Sequence, residues 1–265
     1  TPWRNDPVSD PHSEALYLRD EDADVFWSPF PGPAPADAEY EVRHGFGYTS
    51  FRHQSHDLEQ TVIQFVPFDD PIKFTRIQIR NNGDRRRRIS LFAYQQWLLG
   101  SRSPHESRQI QSRADEQVNL LLATNSLRTM FADSVAASAL VALQAAGSVR
   151  FTADRTEFLG RHGDLEAPRA LREQTALSGA EGSGLDPCAA WQVAWELAPG
   201  ESVEATVLLG QFDSEDTAWD TFHYFDDADK VEEVLTDAKE MWKRRLSAVE
   251  IETPCPAIDA VVNGW

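Results

Sequence analysis

Between residues 40 and 97 the chain alternates short apolar-rich runs with marked turns, at a spacing too tight for helices of ordinary length. Residues 40–42 and 46–48 flank Gly45 and Gly47, and glycine inside a strand pattern predicts a bulge or a close backbone approach. A longer apolar-rich run covers 58–68 and contains Pro67, then Asp69-Asp70-Pro71 turns the chain into 74–80, where Ile77 and Ile79 share a face. Asn81-Asn82-Gly83-Asp84 supplies residues that tolerate positive φ, which predicts a hairpin. Its returning partner is expected over 89–98, with Ile89, Leu91, Ala93 and Trp97 on one side. Period-two alternation recurs at Trp191, Val193, Trp195 and Leu197, and Ala198-Pro199-Gly200-Glu201 turns into a further strand. Strands of this length and number predict a mainly β fold, a large antiparallel β-sandwich.

The pattern changes at Asp213. Ser214 is placed to cap a short helix, and Ala228, Val231, Leu235, Ala238, Trp242 and Arg245 recur at three- and four-residue steps. That spacing predicts a helix over 228–248, with the first turns of another after Ala257. The expected organisation is therefore a sandwich over 1–212 and C-terminal linker helices over 213–265. The chain opens at Thr1 without an initiator methionine, and it reads as a piece of something longer.

Composition limits the function classes. A formal net charge of −18 repels phosphate backbones, so no nucleic acid is expected as a partner. The basic run Arg85 to Arg88 reads as a solvated strand entry. No apolar stretch reaches the roughly 18 residues of a membrane helix, so no membrane contact is expected from this segment. Two well-separated cysteines, Cys188 and Cys255, build no disulfide framework and point to a reducing, cytoplasmic setting.

Candidate chemistry is sparse. His44, His53 and His56 cluster in sequence, but the three-residue step from His53 to His56 sends their side chains to opposite faces of an extended chain. They read as turn and surface histidines, with His44 the one expected to be buried, and no metal site is assigned. Asp69-Asp70 invites a carboxylate-pair reading, yet neighbours on a strand point apart, and Asp-Asp-Pro is turn chemistry. Neither a phosphate-cradling glycine loop nor a serine elbow occurs, and no catalytic residue or cofactor is assigned. The most site-like group is the polar loop 100–113, where Arg102, His105, Arg108, Gln111 and Arg113 offer donors to a sugar or phosphate. Aromatic faces suit pyranose C–H groups, so Trp3, Trp27, Phe30 and Tyr48 are stacking candidates, with Arg43 and His44 beside Tyr48. An independent carbohydrate-binding module would use the same residues.

Several blocks together carry a family resemblance. They are Glu14-Ala15-Leu16-Tyr17-Leu18-Arg19-Asp20, Phe26-Trp27-Ser28-Pro29, the run from Tyr40 to Tyr48, Val66-Pro67-Phe68-Asp69-Asp70-Pro71 and Leu91-Phe92-Ala93-Tyr94. In this order they resemble the N-terminal region of glycoside hydrolase family 94. Phe158-Leu159-Gly160-Arg161, Gly184-Leu185-Asp186-Pro187-Cys188 and Leu197-Ala198-Pro199-Gly200-Glu201 look like its cyclic β-1,2-glucan synthetase subgroup. The resemblance implies an N-terminal supersandwich, a helical linker and an (α/α)6 barrel that holds the general acid and the inorganic phosphate co-substrate. Residues 242–265 match the linker and the approach to that barrel, and no residue here matches the general acid. The implied role is that of a non-catalytic domain. Its implied partners are a β-glucan oligosaccharide, the barrel of its own parent and a second copy in a homodimer, with membrane anchoring left to other segments of the parent. In the phosphorylases the loop after the Leu-Phe-Ala-Tyr strand reaches the partner's active site. The equivalent here is 101–113, where the family's Gln-Arg pair is out of register and Gln109, Gln111 and Arg113 lie nearby.

Overall fold

A computed structural model describes residues 8, 12–100, 104–125, 127, 133–142 and 144–263. In chain order the first strands are β1 (Glu14–Asp20), β2 (Val25–Trp27), β3 (Tyr40–Gly45), β4 (Tyr48–Ser55), β5 (Leu58–Phe65), β6 (Ile72–Asn81) and β7 (Arg87–Gln96). A short helix α1 (Pro104–Ser107) precedes β8 (Gln111–Asp115), β9 (Leu120–Thr124), β10 (Val135–Ala142) and β11 (Arg150–Asp154). Helices α2 (Arg155–Leu159) and α3 (Arg169–Arg172), then β12 (Gly182–Ser183), β13 (Pro187–Leu197) and β14 (Ser202–Phe212), complete the sandwich. Helices α4 (Glu215–Tyr224), α5 (Ala228–Leu246) and α6 (Pro256–Asn263) follow.

Among the described residues the strands form two sheets. One has five strands in the order β11-β13-β7-β1-β2, the other nine in the order β12-β8-β9-β10-β14-β6-β5-β4-β3, and all their pairings are antiparallel. Alternation gives each sheet an inner and an outer face. Leu16, Leu18, Ile77, Ile79, Ile89, Leu91, Trp191, Val193 and Trp195 meet between the sheets. The outer face of the five-stranded sheet, with Tyr17, Phe92 and Tyr94, is covered by Phe158, Leu159 and Leu171 from α2 and α3. On the nine-stranded sheet, Phe65, Phe74, Leu120 and Leu208 lie under Phe222, Val231 and Leu235 of α4 and α5.

The two helices after Phe212 are therefore a fourth layer of the fold. Ser214 caps α4 by accepting from the Thr217 amide at 3.1 Å, and Asp227 caps α5 by accepting from the Asp229 amide at 2.9 Å. The buried face of α5 is Val231, Leu235 and Ala238, as the periodicity predicts. Its C-terminal half reaches the β3–β4 turn. A Cβ at Gly47 would stand 2.2 Å from Cδ1 of Trp242, so the indole lies directly on the glycine.

Three local expectations are corrected. Gly45 pairs with Tyr48, so Phe46-Gly47 is a two-residue hairpin turn with Gly47 at φ +78°; the expected close approach is present, against Trp242, but the alternative of a bulge within a strand is not. Strands β6 and β7 are not a hairpin: they lie in different sheets, and Asn81-Asn82-Gly83-Asp84 is an arch between the layers. The β13–β14 connection is a second arch, and Asn81 ties the two together. Its amide donates to the Glu201 carbonyl at 2.9 Å and its carbonyl accepts from Gly200 at 2.8 Å. Its side chain donates to the carbonyls of Arg85 (2.8 Å) and Leu197 (3.0 Å) and accepts from the Gly83 amide (3.0 Å). Finally, Arg87 is not solvated. It is 5% exposed and reaches Asp20 at 3.1 Å and Asp57 at 2.9 Å, a buried charge held by paired carboxylates.

Candidate functional site

The residues singled out from the sequence do not converge. Gln111 and Arg113 share one face of β8, a strand where a loop was expected, and line a hollow of about 350 Å³ with Thr124, Ser183 and Glu215. Arg113 is ion-paired with Glu215 at the start of α4, and Arg108 is exposed beyond α1. Arg102 and the side chain of His105 lie outside the described residues, as does Trp3. Arg43, His44 and Tyr48 belong to the far edge of the same sheet, where β4 stands six strand steps from β8. At about 4.8 Å per step Tyr48 is roughly 29 Å from β8 along the sheet, and Arg43 and His44, one strand further on, roughly 34 Å.

Individual environments explain what each residue does. Arg43 is exposed and bonded to Glu41 at 2.7 Å. His44, expected to be buried, is exposed and lies 3.1 Å from the Thr49 hydroxyl. His53 is the buried histidine: its ring stacks on Tyr40 at 3.9 Å, and burial pulls its pKa down. His56 stacks on Trp27 at 4.1 Å. Among the described residues no group of three or more His, Cys, Asp or Glu is placed to hold a metal ion. Tyr48 is half-buried under the ammonium of Lys239, 4.8 Å from the ring centroid. Trp27 is corrected as a stacking platform. It is 1% exposed, and its indole N–H donates to Gln60 at 2.8 Å, so neither face is open to a sugar.

A better-built site lies between the sheets. Inward-facing side chains run Leu18-Leu16-Glu14 on β1, Leu91-Ala93-Gln95 on β7, Ile77-Thr75-Lys73 on β6 and Val62-Gln64 on β5. The β1, β7 and β6 series change from apolar to polar toward the same end of the sandwich, and β5, where the buried Gln60 precedes Val62, ends there on Gln64. There the sheets enclose a cleft of about 560 Å³. Leu16, Ala93 and Val207 form its apolar floor, and Phe30 and Phe51, edge to face at 4.7 Å, form one wall. Glu14 and Lys73 form an ion pair from sheet to sheet, and Gln64 donates to the Thr75 hydroxyl at 3.2 Å. Gln95 is 4% exposed, and its Oε1 is buried without a hydrogen-bond partner. His12 lies across the mouth against Gly32. Sequence reading passed over these residues because each is an ordinary polar group at a strand end. The available signal was the shared change of polarity along the inward-facing series of β1, β6 and β7.

Two stacked antiparallel sheets with helices on both outer faces define a large β-sandwich of the supersandwich kind. The chain belongs to the glycosyl hydrolase 94 supersandwich domain family, whose sequence profile matches residues 1–228. It is 30% identical over its whole length to the cyclic beta-(1,2)-glucan synthase NdvB of Rhizobium meliloti (strain 1021), of which it spans 9%. It is 27% identical over its whole length to the N,N'-diacetylchitobiose phosphorylase of Vibrio furnissii, of which it spans 33%. Among solved structures, a bacterial glucoamylase complexed with acarbose superposes with a TM-score of 0.58 at 9% identity, covering 88% of this chain and 31% of that one. That likeness is one of fold.

Proposed function

We propose that this chain is the non-catalytic supersandwich domain of a phosphorylase-like transferase acting on β-glucan, and that the reaction takes place on residues outside it. The observation that carries the reading is the family match across 1–228 in a chain that spans only 9% and 33% of the two relatives above. In the parent enzyme the domain supports an (α/α)6 barrel and a homodimer, with the Gln111 and Arg113 face of β8 as a contact for partner or glucan. Inorganic phosphate is the parent's co-substrate and is bound elsewhere. Among the described residues no helix is long and apolar enough to cross a membrane, and the two free thiols, Cys188 buried and Cys255 exposed, suit a cytoplasmic setting. The test is to incubate the purified chain with inorganic phosphate and β-1,2-oligoglucosides. No glucose 1-phosphate is expected, and sustained release would overturn the assignment.

A further inference from the structure

We propose that the cleft between the sheets is a binding site for one or two residues of a neutral saccharide. The inference rests on the chemistry of the cleft and does not depend on the parent's reaction. Its volume of about 560 Å³ falls within the roughly 300–1,000 Å³ of small-molecule sites. Its polar lining is the Gln64 and Gln95 amides, the Ser13 and Thr75 hydroxyls, the His12 imidazole and the Glu14–Lys73 ion pair, whose charges cancel, so the site suits a ligand that hydrogen-bonds without net charge. The carboxamide oxygen of Gln95 sets the sign of the contact. A buried acceptor without a partner is costly in a folded protein; this oxygen is closed to water, so a ligand hydroxyl or amide N–H satisfies it once the carboxamide turns into the cleft that Gln95 lines. An anion would instead meet that oxygen and the Glu14 carboxylate, in a chain of net charge −18.

The aromatic wall supplies the second half of the match. Phe30 and Phe51 are half-buried and line the cleft beside the polar groups. A pyranose presents this pairing, with C–H groups on its faces and hydroxyls around its edge. Four strands place polar residues at one depth, where inward positions of a sandwich normally continue the core. Such a departure from local consistency is what a functional site produces.

The experiment is an amide-resolved NMR titration of the whole chain with glucose, β-1,2-glucobiose and N,N'-diacetylchitobiose, each taken to tens of millimolar. The expected result is a saturable response to at least one sugar, centred on Glu14, Gln64, Lys73 and Gln95. Gln95→Leu should weaken that response on the order of tenfold, the loss expected for one buried hydrogen bond. Its melting temperature should stay level or rise, because the substitution removes an unsatisfied acceptor. Gln64→Val, on the facing sheet, should weaken binding while leaving the fold intact, and it serves as the second variant. No saturable response to any of the three sugars would overturn the proposal. So would a response mapping outside the cleft and unchanged in both variants. A Gln95→Leu chain that melts well below the parent would also overturn it, by making Gln95 a structural residue.

Discussion

Asn81→Ala should cost about 3–5 kcal/mol of stability, a large share of the roughly 5–15 kcal/mol that holds a domain together. The side chain is 0% exposed and makes three hydrogen bonds, to the carbonyls of Arg85 and Leu197 and from the amide of Gly83. The bond to Leu197 is fully buried, so its loss strands an acceptor at about 1–3 kcal/mol, while water partly replaces the other two at about 1 kcal/mol each. Urea unfolding followed by tryptophan fluorescence reads the effect. With a slope near 3 kcal/mol per molar, the midpoint should fall by about 1–1.7 M. Asn82→Ala is the control: Asn82 is exposed, its side-chain contact to Glu59 is long at 3.4 Å, and its loss should stay within about 0.5 kcal/mol. The comparison separates two topologies. In a β6–β7 hairpin Asn81 would be a replaceable turn residue; in the arch it joins both crossovers between the sheets. Equal, small effects at the two positions would refute the arch reasoning.

Two further outcomes follow from the packing. Gly47→Ala should cost about 2–3 kcal/mol, because a left-handed backbone at φ +78° strains an L side chain by about 1–2 kcal/mol and the new methyl meets Trp242. In a Trp242→Ala background the penalty should shrink to the strain alone; an unchanged penalty in this double-mutant cycle would show that the indole does not sit on the turn. Burial holds the pKa of His53 below the ordinary 6.5, so below that pH the unfolded chain takes up a proton that the folded chain resists. Stability should therefore fall as pH drops from 6.5 toward the lower folded value. His53→Phe, which keeps an aromatic ring against Tyr40, should flatten part of that slope in pH-dependent urea unfolding, with His56 retaining its own share; an identical slope would contradict the assignment.

Much of the fold was legible in the sequence because period two and period 3.6 are local signals. Trp191, Val193 and Trp195 show their shared inward face directly, and Val231, Leu235 and Ala238 theirs. What failed was information that local pattern does not carry. Asn-Asn-Gly-Asp suits a hairpin and an inter-sheet arch equally, and the choice is made by what Asn81 bonds across the layers, Leu197 and Glu201 far along the chain. Arg87 looked solvated among four arginines because its partners, Asp20 and Asp57, come from another strand and another turn. How far Arg43 stands from Arg113 is likewise set by strand order, which puts them near opposite edges of a nine-stranded sheet. The cleft was harder to see. Gln95 or Lys73 alone is unremarkable, and only the stacking of two sheets brings their strand ends together.

The central claim is that this domain binds saccharide without transforming it. One sample tests it: the purified chain with β-1,2-glucobiose and inorganic phosphate, followed over a day by proton and phosphorus NMR. Ligand-dependent shifts at Gln95 and its cleft neighbours are expected, with no phosphate ester accumulating. A growing glucose 1-phosphate signal would contradict the claim, as would a spectrum indifferent to this sugar and, in parallel samples, to glucose and N,N'-diacetylchitobiose.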